Sequence, residues 1–410
     1  MFPELHIFTL PNGMRVVHQP VKSAVAHCGV MISAGTRDEE EHEHGLAHYI
    51  EHCVFKGTEK RKTFHILSRL DAVGGELNAY TTKEETAIHA SFPREYYHRT
   101  IELLSDVVFH SVFPPKEIEK EKEVIYDEIH SYLDDPSEQI FDDFENHLFR
   151  DHPLGRDILG TPESLKALTR NDILKFIRRN YQTENMIISS VGQIEPWRLK
   201  KLLERYFGEV RTEGEQPPRS PFKHHDAFNE ISERSTYQAH CVMGAPAYSA
   251  LDEKRKNLAL LNNLLGGPPM NTRLGMEIRE KRGIAYTIES SFHPYTDTGW
   301  LNIYFGTSNK NLNKTIRLVH KELRRFREQR LGERQLSMAK KQLCGLVAMA
   351  AENNASMMLS NAKSLMLYDT IDTLEATYEK IHSITADDLL ETANELLTPD
   401  KISVLAYKGT

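Results

Sequence analysis

The chain closes its two halves in the same way, and that repetition limits what it can fold into more than any other feature. Leu168-Thr169-Arg170-Asn171-Asp172-Ile173-Leu174 leads into a helical pattern and then the strand-like run Met186-Ile187-Ile188-Ser189-Ser190-Val191. Ile384-Thr385-Ala386-Asp387-Asp388-Leu389-Leu390 leads into another helix and then Ile402-Ser403-Val404-Leu405-Ala406-Tyr407. Thr169 and Thr385, 216 positions apart, each stand as an N-cap with an Asp three residues on. Nearer the start of each half, Leu77-Asn78-Ala79-Tyr80-Thr81 parallels Gly283-Ile284-Ala285-Tyr286-Thr287 at a shift of 206. A period of half the chain means duplicated domains rather than a solenoid. At 410 residues, two domains of about 200 residues each are the natural size.

The expected division is residues 1–211, a linker at 212–224, and residues 225–410. Thr212-Glu213-Gly214-Glu215-Gln216-Pro217-Pro218-Arg219-Ser220-Pro221 is polar, Pro-rich and almost free of large apolar groups, as a linker should be. Strand-like runs (Ile7 to Val17, Ala24 to Ile32, Ile187 to Val191) alternate with longer helical patterns, and Asn12-Gly13 marks a hairpin. The fold class expected is α+β: two homologous domains, each a mostly antiparallel sheet packed with helices.

The chemistry is concentrated in His48-Tyr49-Ile50-Glu51-His52. Residues four apart share a helix face, so both imidazoles can reach one metal ion. Glu51, one turn after His48, can take a proton from a water there without becoming a ligand. This is the inverted His-x-x-Glu-His order of one class of zinc peptidase. Leu46, Tyr49, Ile50, Cys53 and Val54 form an apolar stripe for the core, which turns His48, Glu51 and His52 towards a cleft or solvent. The plain alternative is a solvated polar face that happens to hold two histidines. His44, four before His48, lacks the intervening Glu, so His42 and His44 read as exposed or supporting residues.

A catalytic zinc site usually has three protein ligands. The third is sought in the run 115–129, where Ile118, Ile125, Ile129 and Tyr132 keep helical spacing. That helix should start after Pro114-Pro115 and end before Pro136. Glu121 and Glu128 lie two turns apart on one flank of the stripe, and spacing does not choose between them. The other acids there (Glu117, Glu119, Glu123, Asp127) read as surface charge.

Gly45-Leu46-Ala47-His48-Tyr49-Ile50-Glu51-His52-Cys53-Val54-Phe55-Lys56-Gly57-Thr58 resembles the active-site helix of the pitrilysin and insulinase peptidases. The likeness is to the short two-domain branch that includes the mitochondrial processing peptidase β subunit and bacterial homologues. The resemblance implies one zinc ion per chain on His48, His52 and Glu128, the last in the Val124-Ile125-Tyr126-Asp127-Glu128 turn. It implies Glu51 as general base and Glu121 as an auxiliary carboxylate. Gly74-Gly75-Glu76-Leu77-Asn78-Ala79-Tyr80-Thr81 is similar to the family's substrate-binding edge strand; Asn78, Ala79 and Tyr80 would pair with a peptide, and Phe55 and Tyr80 would line its side-chain pockets. Leu159-Gly160-Thr161-Pro162-Glu163-Ser164-Leu165, Asn185 and Gly192 match the end of the family's first domain.

In the second half, Ile278-Arg279-Glu280-Lys281-Arg282-Gly283-Ile284-Ala285-Tyr286 resembles the family's transition-state element, so Arg279 and Tyr286 would bind the scissile carbonyl and adjoining backbone. Without the zinc motif these would read as an exposed Arg ending a helix and a Tyr in a half-buried strand. Because one chain carries both elements, the resemblance implies a homodimer around a closed chamber, each site completed by the opposing protomer. The implied function is a zinc endopeptidase acting on short or unfolded peptides. The alternatives are a non-catalytic core subunit of the same fold, or a presequence processor that needs a different partner chain.

Composition narrows the rest. Net charge is −8, with no basic patch interleaved with aromatics, which excludes a general nucleic-acid binder. No run of about 18 apolar residues spans a membrane. Met1-Phe2-Pro3-Glu4-Leu5-His6 shows no secretory signal, although an imported chain could have lost one. Cys28, Cys53, Cys241 and Cys344 are far apart, which suits reduced thiols in a cytoplasm.

Overall fold

Period-two burial divides each sheet into two apolar faces, and each face is covered by helices. A computed structural model of the chain describes residues 5–212, 214–223 and 226–409. It divides into two units, one formed by residues up to 130 with 156–219 and 350–371, the other by 131–155, 220–349 and 372 onwards.

The first unit is built on six strands: β1 (His6–Thr9), β2 (Arg15–Pro20), β3 (Val25–Ile32), β4 (Glu76–Thr81), β5 (Thr86–Pro93) and β6 (Met186–Gly192). Their order is β1-β2-β6-β3-β5-β4, and every pairing is antiparallel except β2 with β6. The Asn12-Gly13 hairpin forms, with Gly13 at φ +90°, a conformation that costs glycine little. Val16, Val30, Ile88 and Ile188 face a core made with Leu46, Tyr49, Ile50, Cys53, Ile118, Ile125 and Phe176. Their sequence neighbours Val17, Met31, Ala87 and Ile187 face the opposite way, onto Ala362 and Leu365 of the helix Asn354–Tyr368. Ser189 Oγ donates to the Met358 carbonyl at 2.7 Å and Asn361 Nδ2 to Gln19 Oε1 at 2.9 Å, fixing that helix on the sheet.

The second unit repeats the plan. Its strands are β7 (Asn229–Arg234), β8 (Ala239–Ala247), β9 (Ala285–Pro294), β10 (Gly299–Thr307) and β11 (Ser403–Gly409), in the order β7-β11-β8-β10-β9. Here β7 with β11 is the parallel pair. Removing β1 from the first sheet leaves the same order, β2-β6-β3-β5-β4, which is the topological form of the repeat seen in the sequence. Leu301, Ile303 and Phe305 face one core, and Trp300 and Tyr304 face Ile140, Phe144 and Leu148 of the helix Pro136–Leu148.

Two sheets, each mixed and packed with helices, are the α+β class expected. The units differ from contiguous halves at 1–211 and 225–410: residues 131–155 join the second unit and 350–371 the first, and the expected linker is divided, with 212 and 214–219 in the first unit and 220 onwards in the second. The reason is physical, since each sheet exposes a second apolar face and these two helices cover them. Among the described residues, no helix is long and apolar enough to cross a membrane.

Candidate metal centre

The helix Leu46–Cys53 begins where the chain turns through Gly45, at φ +88°. Two amides at its start would otherwise be orphaned. Glu39 accepts both, Gly45 N–H at 3.0 Å and Ala47 N–H at 2.8 Å, although it lies upstream of the ordinary capping position. The apolar stripe from Leu46 to Val54 is fully buried, as its spacing requires.

The long helix forms over Pro115–Leu133. Tyr49 donates its hydroxyl to the Ile118 carbonyl at 2.6 Å, and Lys122 Nζ donates to the Leu168 carbonyl at 2.7 Å. The first bond ties the two helices together, and the second ties the long helix to the turn at Leu168. Ile118, Ile125 and Ile129 are buried, but the stripe fades at Tyr132, which is exposed because the helix outruns the core there.

That packing brings His48, His52 and Glu128 together, with one donor atom from each lying within 4.8 Å of the others. Glu128 Oε2 is 3.8 Å from His48 Nε2 and 3.4 Å from His52 Nε2. The two rings stand edge to face with centroids 4.6 Å apart. Donor atoms sharing one tetrahedral zinc stand roughly 3.3 Å apart, given zinc–ligand bonds of about 2 Å. The observed spacings are close to that, and two imidazoles with one carboxylate are the donor set of an open catalytic zinc site. Burial, and then repulsion from His52, push the His48 imidazolium down to about 3, so its ring is neutral at neutral pH. His48 Nδ1 is buried without a partner among the described residues. The residues fit a zinc ion.

Glu121 takes a different position from Glu128. Its Oε2 is 3.4 Å from His52 Nδ1, the edge of the ring away from Glu128, and its Oε1 is 2.6 Å from Lys56 Nζ. The ambiguity that spacing left open is therefore resolved by which ring nitrogen each acid reaches. Burial raises the Glu51 carboxyl above its ordinary range; hydrogen bonding from the Thr81 side chain and the charge of His52 pull it back, and Glu128 adds to the rise.

His42 is exposed near Glu40, and His44 reaches the Asp157 carbonyl at 3.0 Å. Neither joins the group. Glu40, His42 and Glu43 also lie close together, but Arg179 already pairs with Glu40 and Glu43.

Period-two alternation on β4 separates its side chains onto two faces. Leu77 and Ala79 pack against the core that holds the helix Leu46–Cys53, whereas Tyr80 packs on the opposite face and directs its hydroxyl to Glu85. Any pocket lined by Tyr80 is on the face opposite the one that packs on the helix Leu46–Cys53. Phe55 is half-buried against the first core, and Asn78 turns its Oδ1 onto the Ala79 amide at 2.9 Å. Sequence reasoning missed Glu39, Lys56 and Thr81. Only Thr81 carried a signal, since it shares the Ala79 face of a strand already singled out.

Arg279 and Tyr286 belong to the second unit. Arg279 lies on the wide helical turn Gly275–Glu280, its Nε donating to Glu280 Oε1 at 2.9 Å. Gly283 at φ +59° reverses the chain into β9, the edge strand on which Tyr286 is 86% exposed.

Residues 15–162 match the family model described as insulinase (peptidase family M16). Residues 167–343 match the one described as the peptidase M16 inactive domain, a stretch that contains none of His48, Glu51, His52 and Glu128. An uncharacterized zinc protease of Streptomyces coelicolor is 32% identical over 95% of this chain and 86% of its own. The uncharacterized zinc protease YmxG of Bacillus subtilis is 31% identical over 96% of each. Among solved structures, a protease from Helicobacter pylori superposes with a TM-score of 0.92 at 20% identity, over 100% of both chains. A peptidase M16 inactive domain from Pseudomonas fluorescens gives 0.92 at 18%, over 99% and 98%. The chain belongs to peptidase family M16, the insulinase family.

Proposed function

We propose that this chain is a zinc metalloendopeptidase that hydrolyses short or unfolded peptides. The observation that carries the reading is the approach of His48 Nε2, His52 Nε2 and Glu128 Oε2 to one another beside Glu51. When bound, zinc supplies Lewis acidity, polarising the scissile carbonyl and lowering the pKa of an attacking water. Glu51 takes the water proton and returns it to the leaving amine, a role suited to a carboxyl raised by burial. Glu121 accepts the Nδ1–H of His52 and so holds that ring.

The peptide adds as a strand beside β4, the edge of its sheet, so backbone pairing supplies affinity with little sequence demand. Tyr286 and Arg279 donate to the carbonyl oxygen as charge develops on it. In this reading they come from the opposing protomer of a homodimer that encloses the substrate, because one chain carries both elements. All four cysteines are free, which suits a reducing compartment, and we assign the enzyme to the cytoplasm.

The test uses the purified chain with a mixed peptide library. Cleavage read by mass spectrometry should need about one zinc per chain, stop on chelation and return with added zinc. A zinc-free chain without cleavage would leave an inert scaffold. Size-exclusion mass distinguishes the homodimer from an orphan subunit.

A further inference from the structure

We propose that Lys56 is a positioning residue of the metal centre: its ammonium holds Glu121 in the orientation that receives the Nδ1–H of His52. The inference rests on the zinc reading above and deepens it. Lys56 Nζ lies 2.6 Å from Glu121 Oε1, while Glu121 Oε2 lies 3.4 Å from His52 Nδ1, so the two carboxylate oxygens serve two different groups. The side chains of Lys56 and Glu121 are only 24% and 11% exposed, which weakens solvent screening of the pair.

The Lys56 backbone is also fixed. Its amide donates to the Cys53 carbonyl at 3.0 Å, and its carbonyl accepts the Thr63 hydroxyl at 2.8 Å. The ammonium is therefore delivered from a defined turn just past the helix Leu46–Cys53. The lysines nearest Glu121 in sequence are engaged elsewhere: Lys120 pairs with Glu117, and Lys122 with Glu119 and the Leu168 carbonyl.

An imidazole that binds a metal through Nε2 carries its proton on Nδ1, and the acceptor of that proton fixes both tautomer and ring angle. Glu121 can do this only if it does not swing towards solvent or become one more unbalanced carboxylate beside Glu51 and Glu128. Lys56 prevents both.

The experiment measures zinc dissociation constants by competition with a fluorescent chelator, alongside kcat and KM, for the parent, K56M, K56R, E121Q and K56M/E121Q. K56M should weaken zinc by about tenfold, the scale of losing an outer-shell partner. K56R should stay within about threefold of the parent, and the double variant should bind zinc no more weakly than E121Q alone. KM should be unchanged. K56M within about twofold of the parent, K56R as weak as K56M, or losses that multiply in the double variant would each overturn the proposal. Lys56→Gln replaces K56M should that variant fail to fold, as judged by circular dichroism. A parent that binds no zinc overturns the zinc reading itself, whereas a zinc-binding parent with an indifferent K56M overturns only the role of Lys56.

Discussion

Gly45 and Gly160 meet backbone to backbone. A Cβ at Gly45 would lie 2.8 Å from Gly160 Cα, and one at Gly160 would lie 2.9 Å from Gly45 Cα. Both residues also have positive φ, +88° and +73°, so a side chain at either is strained by conformation as well as by contact. This approach sets the height at which the helix carrying His48 and His52 starts. It also gives a physical reason for the Gly-Thr-Pro run at 160–162. Gly45→Ala and Gly160→Ala should each lower stability by at least ~2 kcal/mol. Urea unfolding of the two variants checks this, and a midpoint equal to the parent's would refute the packing account.

Glu39 should prove to be a cap with an unusual pH signature. Burial pushes its carboxyl up to about 8, against the pull of the Ala47 and Gly45 amides. Its folded pKa therefore exceeds its unfolded one, so the native state binds more protons between roughly pH 4.5 and 8. Glu39 accordingly favours the fold most below its unfolded pKa and loses that contribution as pH rises through this window. Glu39→Gln should flatten this slope in unfolding midpoints taken at pH 5 and pH 8. Glu39→Ala, which orphans two buried amides, should cost ~1–2 kcal/mol at pH 5 and less at pH 8, where the Glu39 contribution has been lost.

Glu51→Gln should keep its zinc and lose on the order of 10²–10⁴-fold in kcat, the usual worth of a general base. Thr81→Val tests the same group more gently. Hydrogen bonding from Thr81 holds the Glu51 carboxyl down, so its removal raises that carboxyl further. A base must be ionised to accept a proton; the acid limb of kcat/KM should therefore move to higher pH in T81V. An acid limb that stays in place, measured on a single peptide, would remove Thr81 from the account.

The apolar stripe from Leu46 to Val54 was legible because helical period and burial are one relationship seen twice. The pairing of His48 with His52 was legible for the same reason. Choosing Glu128 over Glu121 was not, because both lie on one flank of a helix, and only tertiary packing decides which ring nitrogen each reaches. Glu39 and Lys56 left no trace, since a charge that acts across a turn has no period. The helices Pro136–Leu148 and Asn354–Tyr368 each cover one sheet face, and nothing local in their sequences says which sheet that is. On the strand Glu76–Thr81, alternation alone puts Ala79 and Tyr80 on opposite faces, as the structure has them.

Asn78 guards the edge on which a peptide would pair. Its Oδ1 accepts the Ala79 amide at 2.9 Å, which occupies a donor on this sheet edge. An incoming peptide carbonyl has to displace that bond. Asn78→Ala should therefore lower KM for peptides several-fold while leaving kcat near the parent value. A raised KM would mean instead that the Asn78 side chain itself holds substrate.

Tyr286 offers the test with the least interference from folding. Its side chain is 86% exposed, so removing the hydroxyl should change stability by no more than ~0.5 kcal/mol. A donor aimed at developing charge on a carbonyl oxygen is typically worth ~3 kcal/mol of barrier, about a hundredfold or more in rate. That interaction strengthens only as the oxygen becomes negative, so its loss should appear in kcat and hardly in KM. Tyr286→Phe should thus turn over peptides about 10²-fold more slowly, with zinc content and melting temperature unchanged. A kcat equal to the parent's would assign the carbonyl to another donor, whereas a loss confined to KM would make Tyr286 a binding residue rather than part of the transition-state element.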